Sequence, residues 1–125
     1  MLALDYGSAR TGVAVSDPTG TLARPLCTVE DAATDAGLAR LGELVRGEDA
    51  DRVVVGLPLT LRGERGAQAD ETMRFVDRLR SVVDVPVETF DERFTTALAG
   101  PGEGDDARAA AHLLSGYLEW SRGRT

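Results

Sequence analysis

The segment LALDYGSARTGVAVSDPTGTLAR, residues 2–24, decides the fold of this chain. Its apolar runs predict three short strands, over about residues 1–6, 11–16 and 21–24. Between the second and third strands lies Asp17-Pro18-Thr19-Gly20, which has the residue types of a tight turn in their usual order. The chain is therefore predicted to open with a three-stranded antiparallel meander.

The remainder of the chain alternates helices with strands. Leucine and valine residues at helical spacing predict amphipathic helices, and a β-branched run predicts a strand that is buried on both faces. The predicted elements are a helix at 32–46, a strand at 52–57, a helix at 67–82, a strand at 85–90, a short helix near Thr95 and a helix at 106–120. The order βββαβαβα, without G-x-G-x-x-G, is not that of a dinucleotide-binding fold. It predicts one α/β domain, residues 1–125, with a five-stranded mixed sheet flanked by helices.

The composition excludes several classes of mechanism. The one cysteine, Cys27, leaves no internal disulfide framework and no multi-cysteine zinc site. All 14 basic residues are arginines, which removes P-loop and Schiff-base lysines. The one histidine, His112, has no feature that marks it as a catalytic base. With no apolar run near 18 residues and no signal-like start, no membrane partner and a cytoplasmic location are expected.

Three acidic residues have positions that suit metal ligands. Asp5 ends the first apolar run, Glu92 follows the last predicted strand, and Asp106 begins the last helix on the face that carries Ala110 and Leu113. A carboxylate at the end of a core element is costly to bury unless a positive charge compensates it. A divalent cation supplies that charge. Three carboxylates can hold two Mg²⁺ or Mn²⁺ ions about 4 Å apart for phosphodiester hydrolysis.

Simpler interpretations of the same residues stay open. Asp5 can form a salt bridge with Arg10 or Arg93, because an unpaired buried carboxylate is rare. Asp105 or Asp106 can cap the N-terminus of the last helix. Residues 91–96 can be an ordinary helix start.

The net charge of −7 argues against a general nucleic-acid coat but leaves room for a local arginine cluster beside a metal site. Arginine side chains near the acids would orient backbone phosphates. Gly7 would let a phosphate approach the backbone closely. The candidate substrate-binding residues are Ser8, Arg10, Arg62, Arg93, Thr95 and Thr96, with Arg65 in the same loop as Arg62.

Four motifs, in order, carry a family resemblance over nearly the whole chain. They are Leu4–Ala14, Val55–Leu59 with Gly63, Asp91–Thr96, and Asp106 followed by an alanine-rich helix that ends in Leu113–Leu118. The set resembles the YqgF/RuvX family of Holliday-junction-resolvase-like proteins, which have an RNase H-like fold. The third motif, D-E-R-x-T-T in that family, is highly specific.

The resemblance implies a metal-dependent nuclease in which Asp5, Glu92 and Asp106 form the acidic triad. The implied substrates are the 5′ end of the small-subunit ribosomal RNA precursor and four-way DNA junctions, and two-strand cleavage would use a homodimer. Two departures from the family stand out. Residues 100–105 are short and carry no basic residue, and Thr60 and Arg62 replace the family's Asn and Asp.

Two other functions compete with the nuclease. A non-catalytic RNA- or protein-binding module that keeps the fold would suit the acidic charge and the missing basic segment. A phosphotransfer domain of the actin or sugar-kinase type also opens with an Asp-x-Gly strand, but it would need a second domain to close over ATP.

Overall fold

The computed structural model of the protein describes residues 1–58, 66–92 and 106–122. Five strands and three helices follow one another in the predicted order. They are β1 (Leu2–Asp5), β2 (Arg10–Ser16), β3 (Ala23–Glu30), α1 (Asp35–Gly47), β4 (Val53–Leu57), α2 (Ala67–Arg80), β5 (Val87–Asp91) and α3 (Asp106–Arg122). The short helix predicted near Thr95 lies outside the described residues.

The five strands form one mixed sheet in the order β3-β2-β1-β4-β5. The opening meander β1-β2-β3 is antiparallel, whereas β1, β4 and β5 run parallel to one another. Since parallel strands end at the same edge of a sheet, the carboxyl ends of these three strands lie side by side. The predicted fold class, a mixed sheet flanked by helices, is confirmed.

The sheet separates two hydrophobic clusters. Leu2 and Leu4 of β1 pack in the cluster that contains the buried side chains of α1 and α2, whereas Ala3 packs in the cluster that contains those of α3. Side chains alternate between the two faces of a strand, so Asp5 continues the face of Ala3. The last residue of β1 therefore presents its carboxyl group to the side of the sheet that α3 covers.

The third strand is longer than predicted, because it runs from Ala23 to Glu30 rather than over residues 21–24. It is an edge strand with mostly exposed or half-buried side chains, and the pairing register shifts between Val13 and Ala14. A bulge and an exposed edge both remove the alternation that marks a strand in the sequence. The predicted turn before it is correct: the Gly20 N–H donates to the Asp17 carbonyl at 2.9 Å.

At the opposite edge of the sheet, an arginine from the end of α2 caps one main-chain carbonyl group. Nε and Nη2 of Arg80 donate to the carbonyl oxygen of Val87 in β5, at 3.2 and 2.9 Å. This contact occupies a main-chain acceptor at a sheet edge, where such groups otherwise lack a strand partner. Among the described helices, none has the length and apolarity that a membrane crossing requires.

Candidate active site

The parallel strands bring Asp5 and Glu92 together at one edge of the sheet. Asp5 is the last residue of β1, and Glu92 follows Asp91, the last residue of β5. Although β4 separates the two strands, the side chains of Asp5 and Glu92 reach one another and share a hydrogen bond. Two carboxyl groups predicted from distant parts of the sequence are therefore in direct contact.

Asp106 joins this pair from above the sheet. It is the first residue of α3, and Ala110, Leu113 and Tyr117 on the same helical face are buried, as the stripe predicts. The α3 start lies over β2 at Gly12, which is the residue paired with Asp5 across the β1-β2 ladder. The negative charge of Asp106 acts on Asp5 at this position.

Two glycines allow the three acids to come so close. A Cβ on Gly12 would stand 1.7 Å from the carbonyl oxygen of Asp106, and a Cβ on Gly56 would stand 2.7 Å from Oε1 of Glu92. Both distances are far inside van der Waals contact. Neither glycine is among the site residues that the sequence predicts, although a glycine inside a strand is a recognised sign of close backbone approach.

The pKa values of the two contacting carboxyl groups reflect their crowding. Burial raises the pKa of Glu92 to about 7, and the charge of Asp5 and the hydrogen bond to it act in the same direction. Burial also raises the pKa of Asp5, the charge of Asp106 adds to this, and the hydrogen bond from Glu92 opposes it. When Glu92 is protonated, it is the donor and Asp5 the acceptor. Without a cation, the structure disfavours full ionisation of this group of acids.

Asp106 has a different environment. Among the described residues its Oδ2 atom is buried and accepts no hydrogen bond. The Nε atom of Arg10 lies 3.4 Å from that oxygen, within ion-pair distance. A salt bridge between Arg10 and Asp5 is one interpretation that the sequence leaves open. The structure instead directs Arg10 to Asp106, because α3 places the Asp106 carboxylate beside the start of β2.

The donor set suits a hard divalent cation. All three groups are carboxylates, two of them resist ionisation next to one another, and the third has a buried oxygen without a hydrogen bond. Within residues 1–58, 66–92 and 106–122, no three Asp, Glu, His or Cys side chains are already arranged around one ion position. The assignment of Asp5, Glu92 and Asp106 as metal ligands and catalytic residues remains a prediction.

Two of the predicted substrate-binding residues lie in the described part of the chain. Ser8 is exposed in the loop between β1 and β2, and Arg10, also exposed, begins β2. Both residues follow Asp5 closely in the sequence, and they lie at the same edge of the sheet. Four more predicted residues, and the neighbouring loop arginine, lie outside the described residues: Arg62, Arg93, Thr95, Thr96 and Arg65.

Comparison with known proteins agrees with the fold and the motifs. The chain is 48% identical over 134 aligned positions to a protein of Chloroflexus aggregans named "Putative pre-16S rRNA nuclease", and the match covers 98% of this chain and 94% of that one. A relative of the same name from Chloroflexus aurantiacus is 48% identical over 99 residues, and the match covers 79% of this chain but 65% of the relative.

A solved structure shares the fold. Thermus thermophilus RuvC, solved in complex with a Holliday junction substrate, superposes with a TM-score of 0.63 at 18% identity, over 100% of this chain and 97% of RuvC. At that identity the likeness concerns the RNase H-like fold. The family model described as RuvX, Holliday junction resolvase, matches residues 1–120. With this match and with close relatives across almost its whole length, the chain belongs to the RuvX family of Holliday-junction-resolvase-like nucleases.

Proposed function

We propose that this chain is a single-domain nuclease that uses divalent metal ions to hydrolyse phosphodiester bonds in structured nucleic acid. The observation that carries the proposal is the convergence of Asp5, Glu92 and Asp106. Two of these acids share a hydrogen bond and have raised pKa values, and the third has a buried oxygen without a hydrogen bond. Carboxylates that serve only the fold are seldom crowded in this way, because their negative charges repel one another. A bound cation compensates those charges.

Each acid has a position that suits a distinct task. Asp5 is in contact with Glu92 and under the charge of Asp106, so it would share a bound metal ion with each of them. Glu92 would exchange its proton for a cation as the site loads, since a ligating carboxylate must be ionised. Asp106 is held by the first turn of a long helix with a buried face, which fixes the backbone of this ligand. When bound, Mg²⁺ or Mn²⁺, as a pair of ions, would supply Lewis acidity to the attacking water and to the leaving oxygen.

The substrate we propose is the 5′ end of the precursor of 16S ribosomal RNA, with four-way DNA junctions as the second candidate. The names of the relatives favour the first, and the family description favours the second. A junction resolvase cuts two strands and would act as a homodimer with two-fold symmetry. Either substrate fits the cytoplasmic location that we propose for the protein.

The test compares cleavage of a precursor RNA fragment and of a four-way DNA junction, each with Mg²⁺, with Mn²⁺ and with EDTA. Wild-type protein is expected to cut one of the two substrates in Mg²⁺ or Mn²⁺ and to cut neither of them in EDTA. Asp5→Asn should lower the rate by at least about a hundredfold, because a ligand shared by the site is lost. Asp77→Asn is the matched control, since Asp77 is an exposed aspartate on α2. Equal rates in Asp5→Asn and wild type would remove the mechanism.

A second candidate function is a non-catalytic RNA-binding module. The net charge of −7 and the lack of a preformed ion site in the described residues favour it. The same experiment separates the two: binding of the RNA fragment without cleavage in either metal would support the module and contradict the nuclease.

A further inference from the structure

The ion pair between Arg10 and Asp106 has features of a temporary contact. Arg10 Nε lies 3.4 Å from Asp106 Oδ2, yet that oxygen accepts no hydrogen bond from the described residues. The Arg10 side chain is 55% exposed, whereas that of Asp106 is 28% exposed. Half-exposed ion pairs without hydrogen-bond geometry contribute little to the stability of a fold. The contact therefore compensates the charge of Asp106 without locking Arg10 in place.

The backbone of Arg10 cannot follow its side chain if the side chain moves. Arg10 is the first residue of β2 and pairs with Glu30 of β3, and the next residue, Thr11, is fully buried. A guanidinium that leaves Asp106 must therefore swing outward from a fixed Cα at the rim of the acidic site. A planar guanidinium at that rim has the geometry that binds phosphate through two hydrogen bonds.

We propose that Arg10 is the internal counter-ion of Asp106 in the metal-free protein, that a divalent cation displaces it, and that the displaced guanidinium then binds a backbone phosphate. This inference rests on the proposed function, because it needs a cation at the acidic site. The guanidinium and the cation neutralise the same buried oxygen, so binding of one opposes binding of the other. Metal loading and exposure of a phosphate-binding arginine thus become one event.

The first experiment measures Mn²⁺ binding by titration calorimetry in wild type, Arg10→Gln and Arg24→Gln. Arg24 is a matched control: it also forms a long ion pair, with Glu48 at 3.7 Å, and its side chain is 65% exposed against 30% for Glu48. The Arg10→Gln variant is expected to bind Mn²⁺ about two- to fivefold more tightly, which is the range that an exposed pair allows. The Arg24→Gln variant should bind it as wild type does.

Thermal melts give a second readout that does not depend on activity. In EDTA, Arg10→Gln should melt below wild type, because Asp106 loses its counter-ion. In saturating Mn²⁺ the difference should disappear. A purely structural role for the pair predicts the same loss of melting temperature with and without Mn²⁺, together with unchanged metal affinity, and that result would overturn the inference. Arg10→Lys, which keeps the charge, serves if Arg10→Gln does not fold, and it should retain wild-type Mn²⁺ affinity more closely.

The phosphate half of the inference is tested by kinetics. Arg10→Gln should raise KM for the nucleic acid several-fold with a smaller change in kcat, since the guanidinium binds substrate rather than the reacting atoms. An unchanged KM would contradict it. If wild-type protein binds no Mn²⁺ at all, the proposed function itself fails. If Arg10→Gln binds Mn²⁺ with the same affinity as wild type, only the displacement of Arg10 by the cation is refuted.

Discussion

The carbonyl oxygen of Asp106 lies so close to Gly12 that a Cβ on that glycine would stand 1.7 Å away from it. Helix α3 therefore begins directly on the backbone of β2, opposite Asp5 in the ladder. This contact sets the distance between α3 and the sheet at Asp106, the third candidate acid. A residue without a side chain thus defines the position of a carboxylate far from it in sequence.

Substitution of Gly12 by alanine should damage both stability and the site. The atoms in the way belong to the backbone of Asp106 and Ala107, so no side-chain rotation relieves the clash. Overpacking of this kind costs about 1–3 kcal/mol in the free energy of unfolding. We expect a lower melting temperature and a loss of metal-dependent cleavage. Gly47→Ala is the control, because a Cβ at Gly47 would meet no atom within 4 Å. If Gly12→Ala melts like wild type, the close packing of α3 on β2 is wrong.

Gly56→Ala should separate function from stability. Its Cβ would stand 2.7 Å from Oε1 and 3.0 Å from Cγ of Glu92, and 3.1 Å from Cδ2 of Leu113, which are all side-chain rather than backbone atoms. The Glu92 side chain can turn away at small cost, but it then leaves Asp5. We therefore expect a small change in melting temperature and a marked loss of Mn²⁺ affinity, measured by calorimetry. Unchanged affinity would mean that Glu92 does not need its present position.

Glu92→Gln should stabilise the metal-free protein while it removes activity. The substitution takes away one charge from a crowded and partly buried group, and the amide can still donate a hydrogen bond to Asp5. Relief of strain at a functional site commonly adds about 0.5–2 kcal/mol to the free energy of unfolding. The measurement is denaturant unfolding in EDTA at pH 8, with Glu43→Gln on the exposed face of α1 as control. If Glu92→Gln is less stable than wild type in EDTA, then repulsion between the acidic side chains does not destabilise the metal-free protein.

The turn between β2 and β3 predicts an acid-sensitive contribution to stability. The hydroxyl of Thr19 and the N–H groups of Leu22 and Thr21 donate to the Asp17 carboxylate and lower its pKa to about 2. Since this folded-state pKa lies below the usual 3.8, the carboxylate stabilises the fold above pH 4, and the effect is lost as the pH falls through about 2.

Asp17→Asn should therefore be less stable than wild type at neutral pH, and the difference should vanish toward pH 2. Unfolding curves between pH 2 and pH 7 measure it. Thr19→Ala, which removes the hydroxyl donor that lowers the pKa of Asp17 most, should bring that pKa back toward 3.8 in an NMR titration. An Asp17 pKa near 3.8 in wild type would contradict the turn geometry.

The sequence predicted the order of elements because each one has a strong local signal. The β-branched run of β4 and the leucine spacing of α1 are examples, and Asp106 at the head of a buried stripe is another. The length of β3 was underestimated because an exposed, bulged edge strand has no alternation. The contact of Arg10 with Asp106 rather than Asp5 depends on where α3 lands on the sheet, which is a tertiary property that no local pattern encodes.

The arginine that caps the Val87 carbonyl has a consequence for the behaviour of the protein in concentrated solution. An edge strand with unpaired main-chain groups can pair with the same strand of another molecule and so extend the sheet. Such pairing is the first step toward ordered aggregates. Here the newcomer would have to displace the two hydrogen bonds from Arg80 before it could pair at this residue. The chain thus has its own obstacle to strand pairing at Val87, supplied by a side chain that is not among the candidate site residues.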